Sequence, residues 1–122
     1  MAVLQSHVDT RADWFHQNRA DMLEQLAIID ELNIEAAAGG GPAAMARMRS
    51  RDKMPVRERI SYLIDPDSPF YEISPLAGYC TDYALGAGLV MGIGVVNGVE
   101  CMIEGNDPTV LGGAITVFAG KK

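Results

Sequence analysis

The chain has only two cysteines, Cys80 and Cys101, in 122 residues. They follow no metal-ligand spacing, so a metal centre is not expected; they read as buried thiols in apolar segments, which suits a reducing, cytoplasmic setting. Basic residues are also scarce, with ten Lys and Arg against sixteen Asp and Glu and a formal net charge of -6. That balance excludes a general nucleic-acid footprint, which needs clustered cations. There is no long uninterrupted hydrophobic run, because the stretch from Ala84 to Val96 is broken by glycines, so no membrane span is expected. The first residues lack a basic stretch leading into an apolar core, and no secretory signal is expected either. The two histidines, His7 and His16, have no carboxylate or cysteine at ligand spacing. Gly92 and Gly94 lack the third glycine and the strand-to-helix context of a dinucleotide fingerprint.

What is present fits one modest domain, with 48% hydrophobic residues distributed unevenly. Most ionic groups fall in the first sixty positions, and the last forty are almost uncharged. The asymmetry predicts a polar helical front and a buried sheet behind it. From Arg11 to about Ala38, Trp14, Phe15, Met22, Leu23, Leu26, Ile29 and Leu32 recur at helical spacing along one broad face, with Asp9 or Thr10 placed to cap the start. This face would pack on its own domain or on another subunit. Gly39-Gly40-Gly41-Pro42 breaks the helix, Ala43 to Arg51 reads as a short basic helix, and Pro55 opens a third helix over Val56 to Leu63. Asp65 to Pro69 reads as a turn and Phe70 to Ile73 as a short extended segment.

The strongest local signal is Asn97-Gly98 between runs rich in Val and Ile, which predicts a hairpin with a type I′ turn. The second strand leads into Gly105-Asn106-Asp107-Pro108-Thr109-Val110-Leu111-Gly112-Gly113, small and polar residues that form either a plain turn or a loop whose backbone approaches a ligand closely. Glu100 and Glu104 share a face of that strand and read as its solvated side. Six cations, Arg47, Arg49, Arg51, Lys53, Arg57 and Arg59, cluster against an acidic background. They form either a solvated face paired with Asp52, Glu58 and Asp65 or a site that meets phosphate.

Lys53-Met-Pro-Val-Arg57-Glu58-Arg59-Ile60, Leu63-Ile-Asp65-Pro-Asp-Ser68-Pro-Phe70, Gly92-Ile-Gly94-Val-Val-Asn97-Gly98 and Asn106-Asp107-Pro-Thr109-Val-Leu-Gly112-Gly113 together resemble the amino-terminal part of carboxyltransferase (β) subunits of biotin-dependent acyl-CoA carboxylases. The family includes the propionyl-, methylcrotonyl- and geranyl-CoA enzymes. The resemblance covers about residues 35 to 122, and the first helix fits the family's variable lead-in. It implies an α/β fold, the first part of a crotonase-like (ClpP/crotonase) domain, with a helical lead-in over residues 1–64 and the first strands over 65–122.

The resemblance also implies an activity, the transfer of a carboxyl group from carboxybiotin to the carbon α to an acyl-CoA thioester. Biotin would be carried by a partner subunit or protein, acyl-CoA would be the substrate, and the other partners would be a biotin carboxylase or biotin carrier subunit and further copies of the full-length chain. The donors that hold the enolate and the biotin oxygen lie, in the family, on glycine-rich loops downstream of residue 122, so no catalytic residue is assigned here. The fold reads as cut short, and residues 1–122 alone are expected to be inactive. The expected acyl-CoA contacts are Asp107, Thr109, Gly112 and Gly113, followed by Lys53, Arg57 and Arg59. Two departures stand out. Where the family has Ala-Thr-Val-Lys before two glycines, this chain has Pro108-Thr109-Val110-Leu111, and the family's His-x-x-x-Gly-Lys is Met48-Arg-Ser-Arg-Asp52-Lys53. They point to a divergent branch, nearer the geranyl-CoA type than the propionyl-CoA type. The alternatives are a non-catalytic CoA-binding or carboxylase-assembly module, and a non-functional remnant.

Overall fold

A computed structural model describes residues 5–122. Met1 to Leu4, where the search for a leader begins, lie outside the described residues. The described residues form two compact units, divided between Glu31 and Leu32. Helix α1 spans Asp13–Ala37, within two residues of the expected bounds. Its approach is turned by Asp9, whose carboxylate accepts the Arg11 N–H at 2.9 Å. Of the apolar residues predicted to pack, Trp14, Met22, Leu23, Leu26 and Ile29 stay exposed, Phe15 and Leu32 are half-buried, and Ala36 alone in this helix is buried among the described residues.

Within the second unit, α2 spans Gly41–Arg49 and α3 spans Val56–Leu63. Helix α2 begins two residues earlier than expected because Pro42 sits in its first turn, where a missing N–H costs nothing. It ends at Ser50, and the chain turns through Asp52, whose φ is +54°. Strands β1 (Tyr71–Glu72), β2 (Leu89–Val96) and β3 (Val99–Asn106) form an antiparallel sheet in the order β1-β2-β3. The hairpin register pairs Gly94 with Cys101 and Val96 with Val99. Asn97 and Gly98 hold φ of +51° and +77°, the two left-handed positions that a type I′ turn demands. Asp65 reaches this turn from the end of α3 and accepts both its N–H groups, from Asn97 and from Gly98, each at 2.7 Å.

One face of the sheet carries the core. Val56 and Ile60 of α3 pack on Val90 and Ile103, with Ile64, Phe70, Val96 and Cys101 around them. Helix and sheet approach closely because a Cβ at Gly105 would stand 2.6 Å from Val56 Cγ2, and one at Gly94 would stand 2.8 Å from Ile64 Cγ2. Fully burying a side chain such as Val56 stabilises by about 1.5–3 kcal/mol. A smaller cluster joins Ala87, Leu89 and Ala119, with Ala77 and Phe118 at its margin.

Two expectations need correction. The sheet is not buried throughout: Glu100, Met102 and Glu104 of β3 are exposed because α3 covers one face only, and Val99, on the covered face, is exposed beside the hairpin turn. Glu100 and Glu104 do share the open face. Cys80 is exposed, not buried, because it lies in a succession of tight turns with its own φ at +59°. Cys101 is half-buried against the α3 side of the sheet.

Candidate functional site

The loop after β3 is fixed before any ligand is considered. The Asp107 carboxylate is buried, and its Oδ1 accepts the Thr109 N–H at 2.9 Å and the Thr109 hydroxyl at 2.6 Å. Local bonding of this kind stabilises a turn after Asp. The Thr109 hydroxyl in turn accepts the Gly40 N–H at 2.9 Å. A relay therefore runs from the Gly40 amide through Thr109 to Asp107. Gly39 and Gly40 are required at this junction, since a Cβ at Gly39 would stand 2.4 Å from Asp107 Oδ2 and one at Gly40 1.9 Å from the Thr109 carbonyl oxygen. The sequence shows this glycine tract as a helix breaker, and its docking role carries no local signal.

Beyond Thr109 the backbone turns through Leu111, Gly112 and Gly113, all with positive φ. Gly112 and Thr109 line a cleft of about 190 Å³ with Pro108, and Ala44, Arg47, Met48, Arg51 and Lys53 complete it. Leu111 lies on the other side of the loop, beside Gly40, Asp82, Tyr83 and Ala84, where a second, open cleft begins. Gly113 sits behind the loop, against Pro108.

The six clustered cations separate into two sets. Arg49 pairs with Glu58 at 3.0 Å. Arg57 forms a two-pronged bond to Glu72, at 2.8 and 3.2 Å, in a half-buried setting. Arg59 Nη2 donates to the Asn106 carbonyl at 3.3 Å. Arg57 and Arg59 thus brace α3 against the sheet. Arg47, Arg51 and Lys53 have no ion pair among the described residues and line the cleft. Of the expected contacts, the structure therefore brings together Lys53, Thr109 and Gly112, places Asp107 beneath them as the support of the loop, and directs Arg57 and Arg59 elsewhere. Arg47 and Arg51 belong to the cluster the sequence displays, but local spacing cannot show which of its members lack partners.

At the far edge, Lys122 donates from Nζ to the Leu89 carbonyl. Burial lowers its pKa below the usual lysine value, with smaller opposing effects of Glu72, which raises it, and Arg57, which lowers it. The cavity bounded by Ala36, Gly39, Arg57, Val90 and Asp107 is only about 10 Å³, room for no more than one water. Biotin's fused rings do not fit there. No group of three or more potential metal ligands occurs among the described residues, and none of the described helices is long and apolar enough to cross a membrane.

This geometry, α3 packed on an antiparallel hairpin with a braced loop beyond it, is the first part of a crotonase-like carboxyltransferase domain. The family described as the carboxyl transferase domain matches residues 47–122, and the chain belongs to that family. It is 51% identical over 98% of its length to the "Probable biotin-dependent acyl-coenzyme A carboxylase beta2 subunit" of Mycobacterium tuberculosis, covering 23% of that protein. Among solved structures, the β subunit of Pseudomonas aeruginosa geranyl-CoA carboxylase superposes with a TM-score of 0.79 at 34% identity, over 93% of this chain and 22% of that one. The transcarboxylase 12S subunit, a hexamer solved with methylmalonyl-coenzyme A, gives 0.74 at 27% identity, over 83% of this chain and 21% of that one. The chain thus spans about a fifth of the length of the relatives it matches.

Proposed function

We propose that this chain contributes the opening segment of a carboxyltransferase that moves a carboxyl group from carboxybiotin, held on a partner protein, to the α carbon of an acyl-CoA. The observation that carries this reading is similarity that runs through almost the whole chain and includes the loop that Gly40, Thr109 and Asp107 fix in place. Residues 1–64 serve as the helical lead-in and 65–122 as the first strands of the domain.

Removing the α proton of a thioester leaves negative charge on its oxygen, and fixed N–H donors hold such a charge without reorganising. In this reading residues 1–122 supply no such donor pair. Their task is to bind and orient the substrate through Thr109, Gly112 and Lys53, with Asp107 and Gly113 shaping the loop behind them. Biotin is carried by the partner protein, and no step on this chain passes through it. The working enzyme is cytoplasmic and oligomeric, and it acts with a biotin carboxylase or biotin carrier subunit.

The test is a carboxyl-transfer assay on the native protein containing residues 1–122, with carboxylated biotin as donor and a series of acyl-CoA acceptors. Carboxylated acyl-CoA is the expected product. A folded protein that binds acyl-CoA and gives none would leave only a binding or assembly role.

A further inference from the structure

We propose that Asn97 is a site of spontaneous modification, an asparagine placed to convert to aspartate and isoaspartate, and that the Asp65 carboxylate holds the conversion in check. Neither residue lines the cleft beside the loop after β3.

Of the four asparagines, Asn18, Asn33, Asn97 and Asn106, only Asn97 precedes a glycine. A glycine nitrogen has no side chain beside it to hinder its attack on the preceding amide. Both turn residues are exposed, and a Cβ placed on Gly98 would have nothing within 4 Å. Water and hydroxide therefore reach the site freely. In the reaction the Gly98 nitrogen gives up its proton to hydroxide and bonds to the Asn97 Cγ, and the bond from Cγ to the side-chain nitrogen breaks. Ammonia leaves, and the product is a cyclic succinimide. Water then opens the ring at one carbonyl to give aspartate or at the other to give isoaspartate.

Asp65 opposes the first step in two ways. Its Oδ2 accepts the Gly98 N–H at 2.7 Å while Oδ1 accepts that of Asn97 at the same distance, so the attacking nitrogen is committed and cannot swing toward Cγ until a charge-assisted bond is broken. The nitrogen must also become anionic, and a carboxylate beside it raises the cost of that second negative charge. The carboxylate is itself held in place. The Asp65 amide donates to the Val95 carbonyl at 2.8 Å, and its carbonyl accepts the Ser68 N–H at 3.1 Å and the Ser68 hydroxyl at 2.7 Å.

The hairpin explains why the check matters. Its two-residue turn depends on positive φ at Asn97 and Gly98, +51° and +77°, and it sets the register that pairs Val96 with Val99. Isoaspartate routes the main chain through its own Cβ and adds a backbone atom to that turn. Aspartate keeps the chain length but sets a second carboxylate beside Asp65, where like charges repel. Either product loosens the joint between β2 and β3.

The experiment is peptide mapping by mass spectrometry after incubation of the native protein under mildly alkaline conditions, with Asn, Asp and isoAsp at position 97 separated by chromatography. Asp65→Ala is expected to convert at least about tenfold faster than the parent, a drop of about 1.4 kcal/mol in the barrier. Asp65→Asn, which can still accept one of the two bonds, is expected to fall between them. A synthetic peptide of residues 93–101 is expected to convert at least as fast as Asp65→Ala. Gly40→Ala, a destabilising change in another part of the fold, is expected to convert at the parent's rate. An unchanged rate in the Asp65 variants, or a parent as reactive as the peptide, would overturn the proposal. Equal acceleration in Gly40→Ala would overturn it by showing that loss of stability alone exposes Asn97 to attack.

Discussion

Gly40 and Thr109, 69 positions apart, are joined by a hydrogen bond of 2.9 Å from the Gly40 amide to the Thr109 hydroxyl. The same hydroxyl donates to Asp107. The glycine break before α2 and the loop after β3 therefore act as one unit, and a change in either is felt at the cleft.

Gly40→Ala tests that unit through sterics. Its new Cβ would meet the Thr109 backbone, and overpacking of this kind costs about 1–3 kcal/mol. Urea unfolding should show the loss, together with weaker CoA binding. Gly120→Ala, whose Cβ would have nothing within 4 Å, should be close to neutral. Thr109→Val removes the hydroxyl but keeps the shape, and should cost about 1–3 kcal/mol by leaving the Gly40 amide and the buried Asp107 carboxylate without that partner.

Asp65→Asn tests the hairpin. The parent carboxylate accepts two turn amides at 2.7 Å, whereas an amide side chain can offer an oxygen to only one of them and turns its NH2 toward the other. Loss of a charge-assisted bond predicts a destabilisation of about 1.5–3 kcal/mol, read as a lower urea midpoint and faster hydrogen exchange at Asn97 and Gly98. An unchanged midpoint would mean that the turn residues hold the hairpin unaided.

Asp52→Gly should stabilise the protein. Asp52 holds a φ of +54° at the position where the resembled family has glycine, and an L residue in that region costs about 1 kcal/mol. A thermal midpoint no higher than the parent's would show that the Asp52 side chain compensates for its backbone.

Much of the architecture was legible locally. Asn97-Gly98 specifies the turn by the backbone angles it needs, and Pro55 marks the start of α3. The loop from Gly105 to Gly113 is visible as an unusual run of small and polar residues, and Lys53, Thr109 and Gly112 do come together. What the sequence could not display is pairing over distance. Asp65 caps a turn 32 and 33 residues away, and Glu72 claims Arg57 from fifteen residues away, so the basic cluster could not be divided into braced and free members by inspection. Cys80 reads as apolar by residue type, but the turns around it bring it to the surface.

Lys122 gives a prediction in pH. Its folded pKa lies below the ordinary value of 10.5, so between the two values the unfolded chain binds more protons than the folded one. Stability contributed by this group therefore rises with pH across that window, and at neutral pH its burial is a cost. Relative to Lys122→Met, the parent should gain stability between pH 7 and about pH 10, measured by urea unfolding at both. A difference independent of pH would show that the amine is as well solvated folded as unfolded.

Hydrogen exchange of the native protein with and without acyl-CoA tests the central claim most directly. The account predicts slowed exchange at the amides of Thr109 to Gly113 and of Arg47 to Lys53, with the Asn97-Gly98 turn unchanged. Saturating acyl-CoA that leaves both segments exchanging as before would contradict it.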